Sequence, residues 1–173
     1  YIFNNVSKLK MLSQVVADAM KAGLTEPDPR VDLSMSDVAR KILILARELG
    51  HQLNIEDVVR DQFLPEACFE AHDLPSFMER LKDYDPEFEA IRQKLDTKQE
   101  KFRVIATFEA GHPTVKLHTF DPKHPFYSAA GSDNIVLFTT ERYLEQPLMI
   151  KGPGAGAEVT AAGVFADIIR IAN

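Results

Sequence analysis

Apolar residues recur at helical spacing over residues 34–49, where Val38, Ile42, Leu45 and Leu49 form a stripe that Gly50 ends. The pattern predicts an amphipathic helix. Two shorter amphipathic stretches come earlier: the tail of a helix through Val6 and Leu9, then residues 13–23, with Ser13 as N-cap and Gly23 as the stop. Before the long stripe, "TEPDPRVDLSMSDVARK" (25–41) has prolines at 27 and 29 that hold the preceding residues extended and oppose helix, so a stiff loop is predicted. Residues 74–101 show two more helical patterns, broken near Pro86, with charged, solvated faces.

The character changes after Lys101. "FRVIATFEA", "TVKLHTF", "DNIVLFTTERY" and "QPLMIKG" are short β-rich runs with turn signals between them, and "HQLNIEDVV" reads as a connection or short strand. An α+β fold follows, a mostly antiparallel or mixed β-sheet with the helices packed on one face. The last residues, "GPGAGAEVTAAGVFADIIRIAN", form a glycine loop running into an amphipathic helix with Val159, Val164, Ile168 and Ile171.

Composition narrows the function classes. With 173 residues and 45% apolar side chains, the chain can bury one substantial core. Its net charge of -6 is interspersed, with no basic block, which argues against a nucleic-acid partner. There is no apolar run of about 18 residues and no secretory pattern, so a soluble, cytoplasmic protein away from the membrane is expected. The single cysteine, Cys68, leaves no intrachain disulfide or thiolate zinc site and reads as a small buried hydrophobe. The histidines at 51, 72, 112, 118 and 124 lack metal-ligand spacing, so no metal is expected. Tyr1 opens an apolar segment already under way, as in a piece of a longer chain.

Two segments carry candidate chemistry. Gly152, Gly154 and Gly156 follow a strand and precede a helix, an order that can present backbone N–H groups to a phosphate. Their spacing departs from the dinucleotide fingerprint, so close packing of a helix end is favoured over a self-contained nucleotide site. In residues 25–41, Asp37 and Lys41 share a helix face, and Glu26, Asp28 and Asp32 stand just before it. One reading is structural: Ser34 and Asp37 as a capping box, and Asp37 with Lys41 as an exposed pair. The other is a carboxylate cluster around one ammonium whose stem is partly buried beside the apolar turn 42–45, poised as a proton donor. The surplus carboxylates would then hold a substrate ammonium.

At these residues the chain resembles homoserine dehydrogenase. "GLTEPDPRVDLSMSDVARKILILARELG" is similar to that family's signature, "YIFNNVS" to the helix after its nucleotide-binding domain, and the closing glycine segment to its C-terminal motif. The finer resemblance is to bacterial bifunctional aspartokinase/homoserine dehydrogenases. It implies NADPH- or NADH-dependent reduction of L-aspartate 4-semialdehyde to L-homoserine, in threonine and methionine biosynthesis. Lys41 then falls on the catalytic lysine and Asp37 on the acid that positions it. Glu26 and Asp32 fall on substrate-contacting acids. Gly154 and Gly156 fall beside the cofactor, and Leu24 replaces a frequent tyrosine.

The resemblance further implies that residues 1–151 form the substrate-binding and dimerisation domain, a homodimer joined through the sheet. Residues 152–173 would return to a nucleotide-binding domain expected upstream of Tyr1, without which the fragment would be inactive. The rival expectation is a non-catalytic regulatory or oligomerisation module whose β-rich half makes the interface.

Overall fold

The computed structural model describes residues 1–131, 133–154 and 157–172. They fall into two units, Tyr1–Tyr127 and Ser128–Asn173. The first contains helices α1 (Ile2–Asn5), α2 (Leu12–Lys21), α3 (Pro29–Leu33), α4 (Ser36–Glu48), α5 (Glu66–Phe69) and α6 (Leu74–Lys98). Its strands are β1 (Val59–Asp61), β2 (Lys101–Glu109) and β3 (His112–Phe120). The second contains β4 (Asp133–Phe138), β5 (Leu148–Pro153) and α7 (Ala157–Ala172). The fold is α+β, and its larger sheet is mixed: β2 and β3 form an antiparallel hairpin, and β1 joins β3 in parallel.

Glycine stops α2 and α4 where the sequence places them. Gly23 has φ 66° and Gly50 φ 90°. This left-handed turn lets Leu24 N–H reach the Ala19 carbonyl at 2.9 Å and His51 N–H reach Ala46 at 3.2 Å, which satisfies carbonyls the helix ends leave open. The start of α2 differs from expectation. Met11 is the N-cap, its N–H donating to the Gln14 side chain at 2.9 Å. Ser13 lies inside the helix and is buried, with both its N–H and its hydroxyl donating to the Asp85 carboxylate of α6. The acid thus accepts from one of the N–H groups that another helix's first turn leaves without an intrahelical partner, and joins the two helices.

Three more expectations are corrected. Pro86 does not break the third helical region, because α6 runs unbroken for 25 residues. A proline inside a helix costs about 3 kcal/mol. On both sides of it one stripe is buried, Phe77, Leu81, Tyr84, Phe88 and Leu95, and each large apolar side chain removed from water contributes about 1.5–3 kcal/mol. Pro29 does not oppose helix either; it occupies the first turn of α3, where its missing N–H has no partner to lose. The stripe of α4 is rotated: Ala39, Ile42, Leu43 and Ala46 are buried, while Leu45 and Leu49 are 40% and 65% exposed.

The helices cover one face of the larger sheet. Phe102 of β2 enters a cluster with Leu12, Val16, Leu33, Phe77, Leu81 and Phe88. Val104, Ala106 and Phe108, on the same face, pack with Val115 of β3 against Met35, Ala39, Ile42 and Leu43. The hairpin turns at Ala110 and Gly111, both with positive φ, 49° and 86°, the geometry whose twist matches the strands it joins. In the second unit β4 and β5 pair antiparallel from Asp133↔Pro153 to Phe138↔Leu148.

Candidate active site

The charged segment forms a helix–turn–helix. Asp28 is the N-cap of α3, accepting from Arg30 N–H at 3.0 Å. Its carboxylate also chelates the Arg30 guanidinium, with Nε at 2.9 Å from each oxygen and Nη2 at 2.6 Å from Oδ2. Nη1 of Arg30 donates to the Ala71 carbonyl at 2.6 Å, and the guanidinium stands 6.0 Å from the Phe77 ring centre.

The α3–α4 turn is tightly specified. Leu33 is 3% exposed in the first apolar cluster and Met35 is 1% exposed in the second, so positions two apart anchor in different parts of the core. Met35 adopts φ 58°, a left-handed conformation that costs a non-glycine residue of order 1 kcal/mol and persists because its burial holds it there. Met35 is also the N-cap of α4, and Ser34 ends α3 instead, so the expected Ser34 and Asp37 capping box does not form. The Ser34 hydroxyl donates to the Val31 carbonyl at 2.9 Å and pairs with Ser36 Oγ at 2.7 Å, while Arg60 of β1 donates to Ser36 Oγ at 3.0 Å.

The four expected site residues form two pairs. Lys41 Nζ lies 2.7 Å from Asp37 Oδ2, with the side chains 60% and 54% exposed. Glu26 N–H donates to Asp32 Oδ2 at 2.9 Å. Among the described residues no hydrogen bond or ion pair joins one pair to the other, and the Glu26 carboxylate has no protein partner. The expected burial of the Lys41 stem is not found. Because the buried stripe of α4 runs through Ala39, Ile42 and Leu43, Lys41 faces outward with Ile44 and Leu45, which are 58% and 40% exposed.

Of the two candidate glycines, Gly156 lies outside the described residues. Gly154 follows β5, and a Cβ there would overlap the Asn134 side chain of β4, 1.4 Å from its nearest atom, so glycine suits the close approach. Arg30 and Arg60 were not singled out from sequence. Their partners, Ala71 and Ser36, are 41 and 24 residues away, beyond any local periodicity.

Arg30 holds the Asp28 carboxyl below the usual carboxylate range, chiefly through its side-chain hydrogen bonds. A group whose folded pKa is depressed stabilises the fold above its unfolded pKa of about 3.9, and that stability is lost as pH falls through the folded value. The gap in melting temperature between the wild type and Asp28→Asn is therefore expected to be full at pH 6 and to close as pH is lowered below about 4. A gap that stayed constant down to pH 3 would contradict the pairing.

These features define an α+β domain that presents a lysine and carboxylates on one helix–turn–helix. The family model for homoserine dehydrogenase matches residues 1–169, and the chain belongs to that family. It is 45% identical over 175 residues to a maize (Zea mays) chloroplastic bifunctional aspartokinase/homoserine dehydrogenase, covering 100% of this chain and 19% of that one. It is 39% identical over 170 residues to the bifunctional enzyme of Haemophilus influenzae, covering 98% of this chain and 21% of that one. The chain thus spans about a fifth of the length of these curated relatives. Among solved structures, a Candida auris protein of unknown function superposes with a TM-score of 0.88 at 39% identity, covering 99% of this chain and 50% of that one. A putative homoserine dehydrogenase of Archaeoglobus fulgidus shares the fold, with a TM-score of 0.70 at 23% identity over 98% of this chain and 46% of that one.

Proposed function

We propose that this chain is the substrate-binding and proton-transfer part of a homoserine dehydrogenase that interconverts L-aspartate 4-semialdehyde and L-homoserine. The observation that carries the proposal is the exposed Lys41–Asp37 pair on α4, one short turn from the Glu26–Asp32 pair. Lys41 donates a proton to the aldehyde oxygen during reduction and removes it from the hydroxyl during oxidation. Asp37, 2.7 Å away, holds the ammonium in place. The carboxylate of Glu26, without a protein partner among the described residues, and the second oxygen of Asp32 are suited to the substrate ammonium. The apolar exposed face beyond Lys41, at Ile44 and Leu45, suits a site that another part of the parent chain covers and dries.

A nicotinamide cofactor, NADP or NAD, completes the proposed reaction, but the described residues do not fit one. Their only parallel strand pair is β1 with β3, and they build no nucleotide-binding β–α–β unit. The proposed division stays at residues 1–151 for substrate binding and dimerisation and 152–173 for the returning segment, the fragment alone being inactive. Maize and Haemophilus relatives support a bifunctional parent and do not single out a bacterial one. A cytoplasmic location is also part of this proposal; no helix among the described residues is long and apolar enough to cross a membrane.

An interface role is compatible with the catalytic one. Leu148, Met149 and Ile150 of β5 are 45%, 50% and 56% exposed, an apolar run suited to a homodimer through the sheet. The function is tested by assaying the full-length protein with L-homoserine and NADP+ or NAD+. Turnover with homoserine is expected, and its absence with both nucleotides would reject the proposal.

A further inference from the structure

Arg30 and Asp28 lie inside the motif that carries the proposed site, yet neither is among the residues that the family resemblance puts on substrate. Glu26 needs positioning from elsewhere. It lies in an irregular segment between Gly23 and Pro29, outside any helix or strand. On one side the segment is held by Leu24 N–H on the Ala19 carbonyl at 2.9 Å, at the end of α2. On the other side it enters α3, a helix of only five residues that cannot fix its own position. Pro29 and Leu33 bury α3 against the core, and Arg30 adds its polar fastening to the rest of the unit. One side of its guanidinium is filled by Asp28, and Nη1 reaches the Ala71 carbonyl just before α6. Its face stands over Phe77, which is fully buried. Through the same short helix, Asp32 reaches back to the Glu26 N–H at 2.9 Å.

We infer that the Asp28–Arg30–Ala71 clamp is a positioning device that sets Glu26 and Asp32 for the substrate ammonium, making Arg30 a positioning residue for amino-acid binding. The inference rests on the proposed homoserine dehydrogenase function. Arginine suits the task because its planar fork holds a carboxylate on one edge and a carbonyl on the other, which an ammonium cannot do with fixed geometry. Asp28 is accordingly an N-cap, a counter-ion and an orienting group at once. The arrangement predicts that disturbing the clamp affects the amino-acid substrate and leaves nucleotide binding alone.

The test uses the full-length enzyme, with steady-state oxidation of L-homoserine followed well below the melting temperature. Arg30→Ala is expected to raise KM for homoserine by about tenfold, since small misplacement of a binding group is costly, with the nucleotide KM changed less than about twofold. Arg30→Lys, which keeps the charge but loses the fork, is expected to fall between. In a Glu26→Gln background, Arg30→Ala is expected to add little further, because two residues acting through one contact are not additive. A purely structural role would instead lower the melting temperature with homoserine KM unchanged, or give additive effects, and either result overturns the inference. If Arg30→Ala does not fold, Asp28→Asn decides, since asparagine keeps the helix cap and weakens only the clamp. An unchanged homoserine KM in that variant overturns the inference. Lack of turnover by the wild type rejects the functional proposal and this inference with it; wild-type turnover with an unaltered variant rejects this inference alone.

Discussion

In the full-length enzyme, Lys41→Ala is expected to lower homoserine turnover by about 10²-fold or more, the effect of losing a positioned acid and base. The same substitution should leave stability nearly untouched. Lys41 and Asp37 are 60% and 54% exposed, and an exposed pair of this kind on a helix is worth about 0.3–0.5 kcal/mol. The two readouts separate a chemical role from a structural one. A large loss of turnover with an unchanged melting temperature is the expected pattern; near-normal turnover in a folded variant would remove Lys41 from the mechanism.

The opposite pattern is expected at Phe88. It is 2% exposed at the centre of an aromatic group, with ring centres 5.3 Å from Phe102, 6.2 Å from Tyr84 and 6.4 Å from both Phe3 and Phe63. Phe88→Ala removes contacts from α1, α6 and β2 together, and should destabilise the chain by about 3–5 kcal/mol in urea unfolding. Ile44→Ala, on the exposed face of α4, should cost no more than about 0.5 kcal/mol under the same conditions. Similar unfolding midpoints for the two variants would show that the α6 stripe is not the core.

The contrast between these positions follows from how α4 and α6 are seated. Helical spacing picks Ile42 and Leu45 from the four successive apolar residues 42–45, but a run apolar on every side leaves the inward face weakly specified, and Leu43 takes the place of Leu45. The sheet decides it: Val104, Ala106 and Val115 meet Ile42 and Leu43, so Ile44, Leu45 and Lys41 turn outward. Pro86 is a similar case. A local rule ends the helix there, and the rule fails because burial on both sides of the proline outweighs one lost hydrogen bond.

The candidate site was legible in part. Spacing of four residues put Asp37 and Lys41 on one face, and the ion pair at 2.7 Å has that geometry. The Glu26–Asp32 contact was not legible as a hydrogen bond, because it needs α3 to form after Pro29 and curl the chain back. Nor was the division of labour among the acids. Asp28 stands beside Glu26 and Asp32 in the sequence with the same charge, yet it is committed to Arg30 and the helix end.

The sequence by itself determined the family, the places of α2, α4 and the β-runs after Lys101, the glycine stops of α2 and α4, and the α+β class, because each rests on local spacing or a local motif. Only the tertiary structure decided which face of α4 is buried, that α6 continues through Pro86, and that Ser13 binds Asp85 rather than capping a helix. It alone joined Arg30 to Ala71, 41 residues away. The physical reason is common to all four: each depends on a partner supplied by a distant element, and helical or strand period carries no information about that partner.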